Sequence, residues 1–154
     1  MKLQEFIVHD AIVPDLQATD RDGAIRELVS SLAAAGAIEP DGSDEIVAAL
    51  IKREQNGSTG FGKGVAVPHV KHPKVNKMVG TVGRSASGID FTALDSQPVY
   101  SIVLLLSPDN EPQQHLQAME IVFRSLQKDM FRRFLRQSET REAIVDLLEE
   151  ADNG

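Results

Sequence analysis

The stretch Gly57-Ser58-Thr59-Gly60-Phe61-Gly62-Lys63-Gly64-Val65-Ala66-Val67-Pro68-His69 decides how this chain is read. Its first half fits G-x-x-x-x-G-K, the opening of a nucleotide-binding P-loop. Its second half is a short β-like run that ends on Pro-His. A P-loop follows a strand and opens a helix, so that the helix N-terminus faces the phosphates. Here the order is reversed: a helical pattern enters and a strand leaves. Gly64 stands where the magnesium-holding Ser or Thr belongs. Pro68 and Pro73 prevent an amphipathic helix from starting after the loop. The P-loop reading fails on these points.

The other reading makes the loop a support for His69. Glycines at 57, 60, 62 and 64 open backbone conformations closed to other residues and can aim N–H groups at an anion. Pro68 fixes its own φ and pushes Val67 toward extended geometry, so His69 stands on a stiff base. An unperturbed imidazole, with a pKa of about 6.5, is largely neutral at pH 7. It then offers one nitrogen lone pair as a nucleophile. Arg53, ending the preceding helical pattern, could clamp a phosphoryl group, and Ser58 and Thr59 offer hydroxyl donors. The plain alternative is a turn histidine beside a strand, with glycines for geometry alone. Composition leaves both open.

Outward from the loop, residues 12–16 suit a short proline-containing edge strand. Thr19 is expected to cap a helix burying Ala24, Ile25, Leu28, Val29 and Leu32, with Gly36 ending it. Ser43 is expected to cap a second, burying Ile46, Val47, Leu50 and Ile51 and stopping at Asn56-Gly57. Residues 78–84 and 99–106 read as strands, the second apolar enough to be covered on both faces. Residues 87–91 between them read as a turn. After the loop 107–112 the pattern is helical, with a stripe of Leu116, Met119, Val122, Phe123 and Leu126. A shorter piece follows with Phe131, Phe134 and Leu135 as core and Arg132, Arg133 and Arg136 on its exposed face. Ser138 is expected to cap a last helix over Ala143, Ile144, Leu147 and Leu148, with residues 152–154 frayed. Helices on both sides of a strand block, without strict β–α alternation, predict an α/β domain with a mixed sheet.

The 154 residues favour one domain, 1–154, with a core at about 3–149. The absence of cysteine excludes disulfides, thiolate catalysis and cysteine-ligated zinc. A net charge of -7 argues against non-specific binding to nucleic acid or anionic membrane. The N-terminus has no apolar core of signal-peptide length, and the run 102–106 is too short to cross a bilayer. A cytoplasmic protein without membrane insertion is expected.

Several smaller features carry alternatives. His69, His72 and His115 could form a three-histidine metal site, although prolines place the H-x-x-H pair outside a helix. Lys63, Lys71, Lys74 and Lys77 form a basic set flanking His69, either a solvated loop or a source of steering charge. Phe61 is a loop anchor or a partner contact. Asp90 and Asp95 are explained most simply as turn residues.

The chain also resembles a known family. Arg53-Glu54, the run from Gly57 to Gly62, and Gly64-Val65-Ala66-Val67-Pro68-His69 resemble the phosphorylation-site signature of the EIIA domain of the phosphoenolpyruvate-dependent sugar phosphotransferase system, fructose/mannitol type. Gly88-Ile89-Asp90-Phe91, Leu94-Asp95, Gln97-Pro98-Val99 and His115-Leu116-Gln117 extend the resemblance over nearly the whole chain. The resemblance implies a three-layer α/β/α fold with a mixed sheet. It implies a phosphotransferase component in which His69 accepts a phosphoryl group on Nε2 from the phosphocarrier HPr or its nitrogen-branch relative. His69 then passes it to an EIIB domain or uses it as a signal to target proteins. His115 is the second active-site histidine, Arg53 the active-site arginine, and Ser58, Thr59 and Gly60 hold phosphate. No cofactor and no metal are implied. The wording GIDFTALDSQPV is most similar to nitrogen-regulatory EIIA proteins. The alternatives are a sugar-specific EIIA and a non-transferring regulatory module. One departure stands out: Val70-Lys71 follows His69 where the family usually has glycine, and a β-branched residue there is expected to crowd the site.

Overall fold

In the computed structural model, which describes residues 1–154, helices α1 (Arg21–Ala34) and α2 (Ser43–Gln55) precede the glycine-rich loop. Strands β1 (Val65–Ala66), β2 (His69–Lys71), β3 (Val79–Ile89) and β4 (Val99–Ser107) follow. Helices α3 (Pro112–Leu126), α4 (Asp129–Gln137) and α5 (Arg141–Asn153) complete the chain. Strand β4 is the spine. It pairs antiparallel with β3 on one side and parallel with β1 and β2 on the other, so the sheet is mixed.

The apolar run of β4 is explained by the two layers it touches. Ile102, Leu104 and Leu106 join the cluster under α1 and α2. Val103 and Leu105, pointing the other way along the pleat, join the cluster under α3, α4 and α5. Every second residue thus meets a different helical layer, giving the expected three-layer α/β/α arrangement.

Residues 12–16 do not form a strand. A short 3-10 turn at His9–Ala11 and Pro14, which lacks an N–H, break up the run. The segment instead lies along the free edge of β3 through isolated bridges at Ile7–Gly80 and Val13–Gly83. Val8 and Val13 N–H groups donate to the Gly80 and Val82 carbonyls at 2.8 and 2.9 Å, covering an otherwise open edge. Strand β3 also runs beyond the expected 78–84 into the expected turn, ending at Ile89, with an irregularity in its pairing between Arg84 and Ile89.

Three helix starts differ from expectation by a residue or two. Asp20, not Thr19, accepts the Gly23 N–H and caps α1. Gly42 precedes α2, and Ser43 is its first helical residue. Thr140, not Ser138, caps α5 by accepting from Ala143 N–H, while the Ser138 hydroxyl donates to the Phe134 carbonyl. In α3 the buried stripe is His115, Ala118, Val122, Ser125 and Leu126, and Leu116 is 62% exposed. The stripe turns away from Leu116 because it carries His115 inward. In α4, Phe131 and Leu135 are core but Phe134 is exposed. The C-terminal end is not frayed: Asp152 accepts from the Leu3 N–H at 2.7 Å and from Gln4.

Candidate active site

Pro68 interrupts the sheet and thereby positions the site. Strands β1 and β2 lie in one register along β4, with Ala66 opposite Ile102 and His69 opposite Leu105. Proline fits the gap because it has no N–H to donate, while its carbonyl still accepts from Leu105 at 3.0 Å. The Val67 carbonyl accepts instead from a ring nitrogen: His69 Nδ1 lies 2.7 Å from it. A carbonyl can only accept, so Nδ1 carries the hydrogen and Nε2 of the neutral ring keeps the lone pair.

His115 comes from the first turn of α3. It is buried, and its Nδ1 lies 2.7 Å from the hydroxyl of Ser107, the last residue of β4. The His69 and His115 rings are 5.5 Å apart, centroid to centroid, at 42°. The pair therefore sits where β2 opens, beside the carboxyl end of β4, the end at which open α/β sheets place their ligands. Burial lowers the His69 pKa below its usual 6.5; the Val67 hydrogen bond raises it, the Arg53 charge lowers it and the Glu54 charge raises it. His115 is pushed down to about 4, chiefly by burial, then by the charges of His69 and Lys71. Both rings are neutral near pH 7.

The other wall is the last turn of α2. Arg53 is half-buried and donates to the Gly57 carbonyl at 2.7 Å, leaving further guanidinium donors. Glu54, only 3% exposed, accepts from the Thr59 N–H at 2.9 Å and from the Thr59 hydroxyl. The Gly60 N–H donates to Ser58 Oγ at 2.9 Å. The Thr59 donors are thus satisfied by α2 and the Gly60 donor within the loop, while Ser58 retains its hydroxyl hydrogen. Gly60 also faces a close neighbour: a Cβ there would meet the Ala93 Cβ at 2.9 Å.

The structure brings His69, His115 and the Arg53 side of α2 together and adds two residues that sequence reasoning gave no role. Glu54 carried no signal beyond its place beside Arg53. Ser107 reads from the sequence only as the first residue of a loop, whereas it ends β4. Val70 does not crowd the site. It follows His69 along β2, so its side chain points to the opposite face, against the core under α1 and α2. The basic set is also dispersed. Lys71 remains near His115, Lys74 pairs with Glu45 at 3.0 Å, and Lys63 lines a separate cleft. His72 Nδ1 accepts from the Lys74 N–H, and no three His, Asp or Glu side chains converge as a metal site would need. Phe61 is a loop anchor, its ring 5.1 Å from that of Phe123. Asp90 and Asp95 accept from Thr92 and Gln97 N–H groups in turns.

Sheet, helical layers and histidine pair together define a class of α/β domain built around one histidine at a strand end. The family model "Phosphoenolpyruvate-dependent sugar phosphotransferase system, EIIA 2" matches residues 5–151, and the chain belongs to that family. A nitrogen regulatory protein of Bradyrhizobium diazoefficiens is 35% identical over 96% of this chain and 95% of its own. The fructose-specific EIIA component of Haloferax volcanii is 35% identical over 84% of this chain and 83% of its own. Among solved structures, the nitrogen regulatory protein IIA-Ntr of Neisseria meningitidis superimposes with a TM-score of 0.83 at 27% identity, covering 94% of this chain and 97% of its own. No helix is long and apolar enough to cross a membrane.

Proposed function

We propose that the chain is a phosphoryl carrier whose acceptor is Nε2 of His69. The observation that carries this reading is the 2.7 Å contact between His69 Nδ1 and the Val67 carbonyl, which leaves the lone pair on Nε2. In the transfer, that lone pair attacks phosphorus of a donor phosphohistidine. The new P–N bond forms as the donor P–N bond breaks, and the donor ring nitrogen takes back its electron pair. The His69 Nδ1–H stays on Val67 throughout. Arg53 and the Ser58 hydroxyl hold the phosphoryl oxygens, and His115 shapes the wall beside them. Thr59 and Gly60 act one step removed, bracing the loop. Phosphoryl transfer asks mainly for such positioning and charge stabilisation.

The donor is HPr or its nitrogen-branch relative, and the receiver is an EIIB domain or a regulated protein that reads the added charge of about -2. The nitrogen-regulatory type is favoured by the Bradyrhizobium relative, whose full length this chain nearly covers. Incubation with phosphoenolpyruvate, enzyme I and HPr tests the core of the proposal. Acid-labile phosphate is expected on the wild type and absent from His69→Ala; an unlabelled wild type, or equal label on the variant, would end it. Transfer of that label to a fructose-type EIIB would replace regulation by a role in a fructose phosphotransferase system, the system the Haloferax relative is named for.

A further inference from the structure

We infer a second anion site, distinct from the phosphorylation site, in a cleft of about 650 Å³ between the glycine-rich loop, β3 and α4. Five cations line it: Lys63, Arg84, Arg132, Arg133 and Arg136. The whole protein carries only 16 Lys and Arg against 23 Asp and Glu, so the cleft inverts the sign of the molecule locally. Of the five, only Arg132 has a carboxylate partner, Asp129. Asp129 and Glu139 are the cleft's own acidic residues, and they do not balance it.

Three of the four guanidinium groups are fixed rather than loose. Arg84 donates to the Arg136 carbonyl at 2.6 Å and to the Pro14 carbonyl at 3.1 Å. Arg132 donates to the Leu126 carbonyl at 2.7 Å. The Arg136 guanidinium lies 3.5 Å from the centre of the Tyr100 ring. Lys63 is held in the left-handed region at φ 62°, between Gly62 and Gly64 at 114° and 76°. A non-glycine residue there is uncommon and strained, and strain of this kind collects at functional positions.

The ligand class follows from shape and lining. The volume suits a small molecule rather than a protein surface. Eight of the nine lining residues are polar or charged, which excludes an apolar ligand. Several fixed arginines and a lysine around one concavity fit a small polyanion with two or more phosphate groups. The cleft lies at the Tyr100–Ser101 end of β4, where Lys63 precedes β1. His69 pairs with Leu105, four residues along the strand, or about 13 Å at the usual rise. A ligand in the cleft would therefore bind without occupying the acceptor.

The test is calorimetric titration of the full chain with inorganic pyrophosphate and tripolyphosphate at low ionic strength, with orthophosphate and a poly-glutamate peptide as comparisons. Saturable binding is expected, tighter for tripolyphosphate than for orthophosphate. Lys63→Gly suits the backbone, and Arg133→Ala removes an exposed side chain with no hydrogen bond. Each is expected to weaken binding about tenfold, with the circular dichroism spectrum unchanged. No binding to the wild type, or undiminished binding to the folded double variant, would overturn the site. Tighter binding of poly-glutamate than of tripolyphosphate would overturn the ligand class in favour of an acidic protein. His69→Ala should bind as the wild type does, so failure of the phosphotransfer reading leaves this outcome distinct.

Discussion

The tautomer of His69 is set by one carbonyl, and its acidity chiefly by burial, then by that same hydrogen bond and by two charges of opposite sign on adjacent residues of α2. Arg53 lowers the His69 pKa and Glu54 raises it, both after burial has lowered it. Arg53→Gln removes a lowering influence, so the His69 pKa should rise toward its usual value. The acid limb of the phosphoryl-uptake profile should move to higher pH, because protonation removes the Nε2 lone pair. NMR titration of the His69 ring protons in both proteins checks this, and an unchanged or lower pKa in the variant would contradict it. Glu54 does a second thing that Arg53 does not. Its carboxylate holds both donors of Thr59 in a buried position. Glu54→Gln keeps the shape but weakens two charge-assisted bonds, and a stability loss of about 1–3 kcal/mol is expected by urea unfolding.

At the scale of elements, the irregular places are those that deliver side chains. Proline at 68 breaks one strand into β1 and β2 without changing the register. The break frees the Val67 carbonyl for His69. Valine at 70 then returns the chain to the sheet and seals the opposite face. Val70→Gly should cost about 1–3 kcal/mol, from lost packing and from glycine's added unfolded-state freedom. The rate of phosphoryl uptake by the folded fraction should stay near that of the wild type. A rate change larger than the stability change would show that Val70 acts on the site after all. Helix α3 gives the complementary lesson. A stripe drawn through the larger apolar residues puts Leu116 inside; the folded helix turns one position to bring His115 in and leaves Leu116 in solvent beside it.

Over the whole molecule, neutral buried histidines make stability depend on pH. The folded-state pKa of His115, about 4, lies below its ordinary 6.5. A group depressed in this way contributes its full stability above the unfolded pKa. As pH falls from about 6.5 toward 4, the unfolded chain binds a proton that the folded chain refuses, and stability falls. His69, also lowered, adds to the same trend. His115→Gln should flatten the decline over this window in urea midpoints measured from pH 7.5 to 4. An equally steep decline in the variant would assign the loss to other groups.

The sequence by itself determined the mixed sheet, the helical layers, the glycine loop and the histidine it ends on. Each is written in local terms: apolar periodicity, two prolines and closely spaced glycines. Arg53 was also legible, from its place at the end of the helix before the loop, whereas the active-site role of His115 came through motif resemblance alone, because it lies far along the chain from the loop. The resemblance implied Nε2 of His69, but only tertiary structure supplied the physical reason, the Val67 carbonyl left over by Pro68 that engages Nδ1. It also decided that Glu54 and Ser107 support the loop and His115, that Val70 faces away, and that Lys63 leaves its neighbouring lysines for a cleft of arginines. The physical reason is common to all of them. Hydrogen-bond partners and local charge come from residues brought close by packing, whereas secondary structure is dictated largely by residues close in the chain.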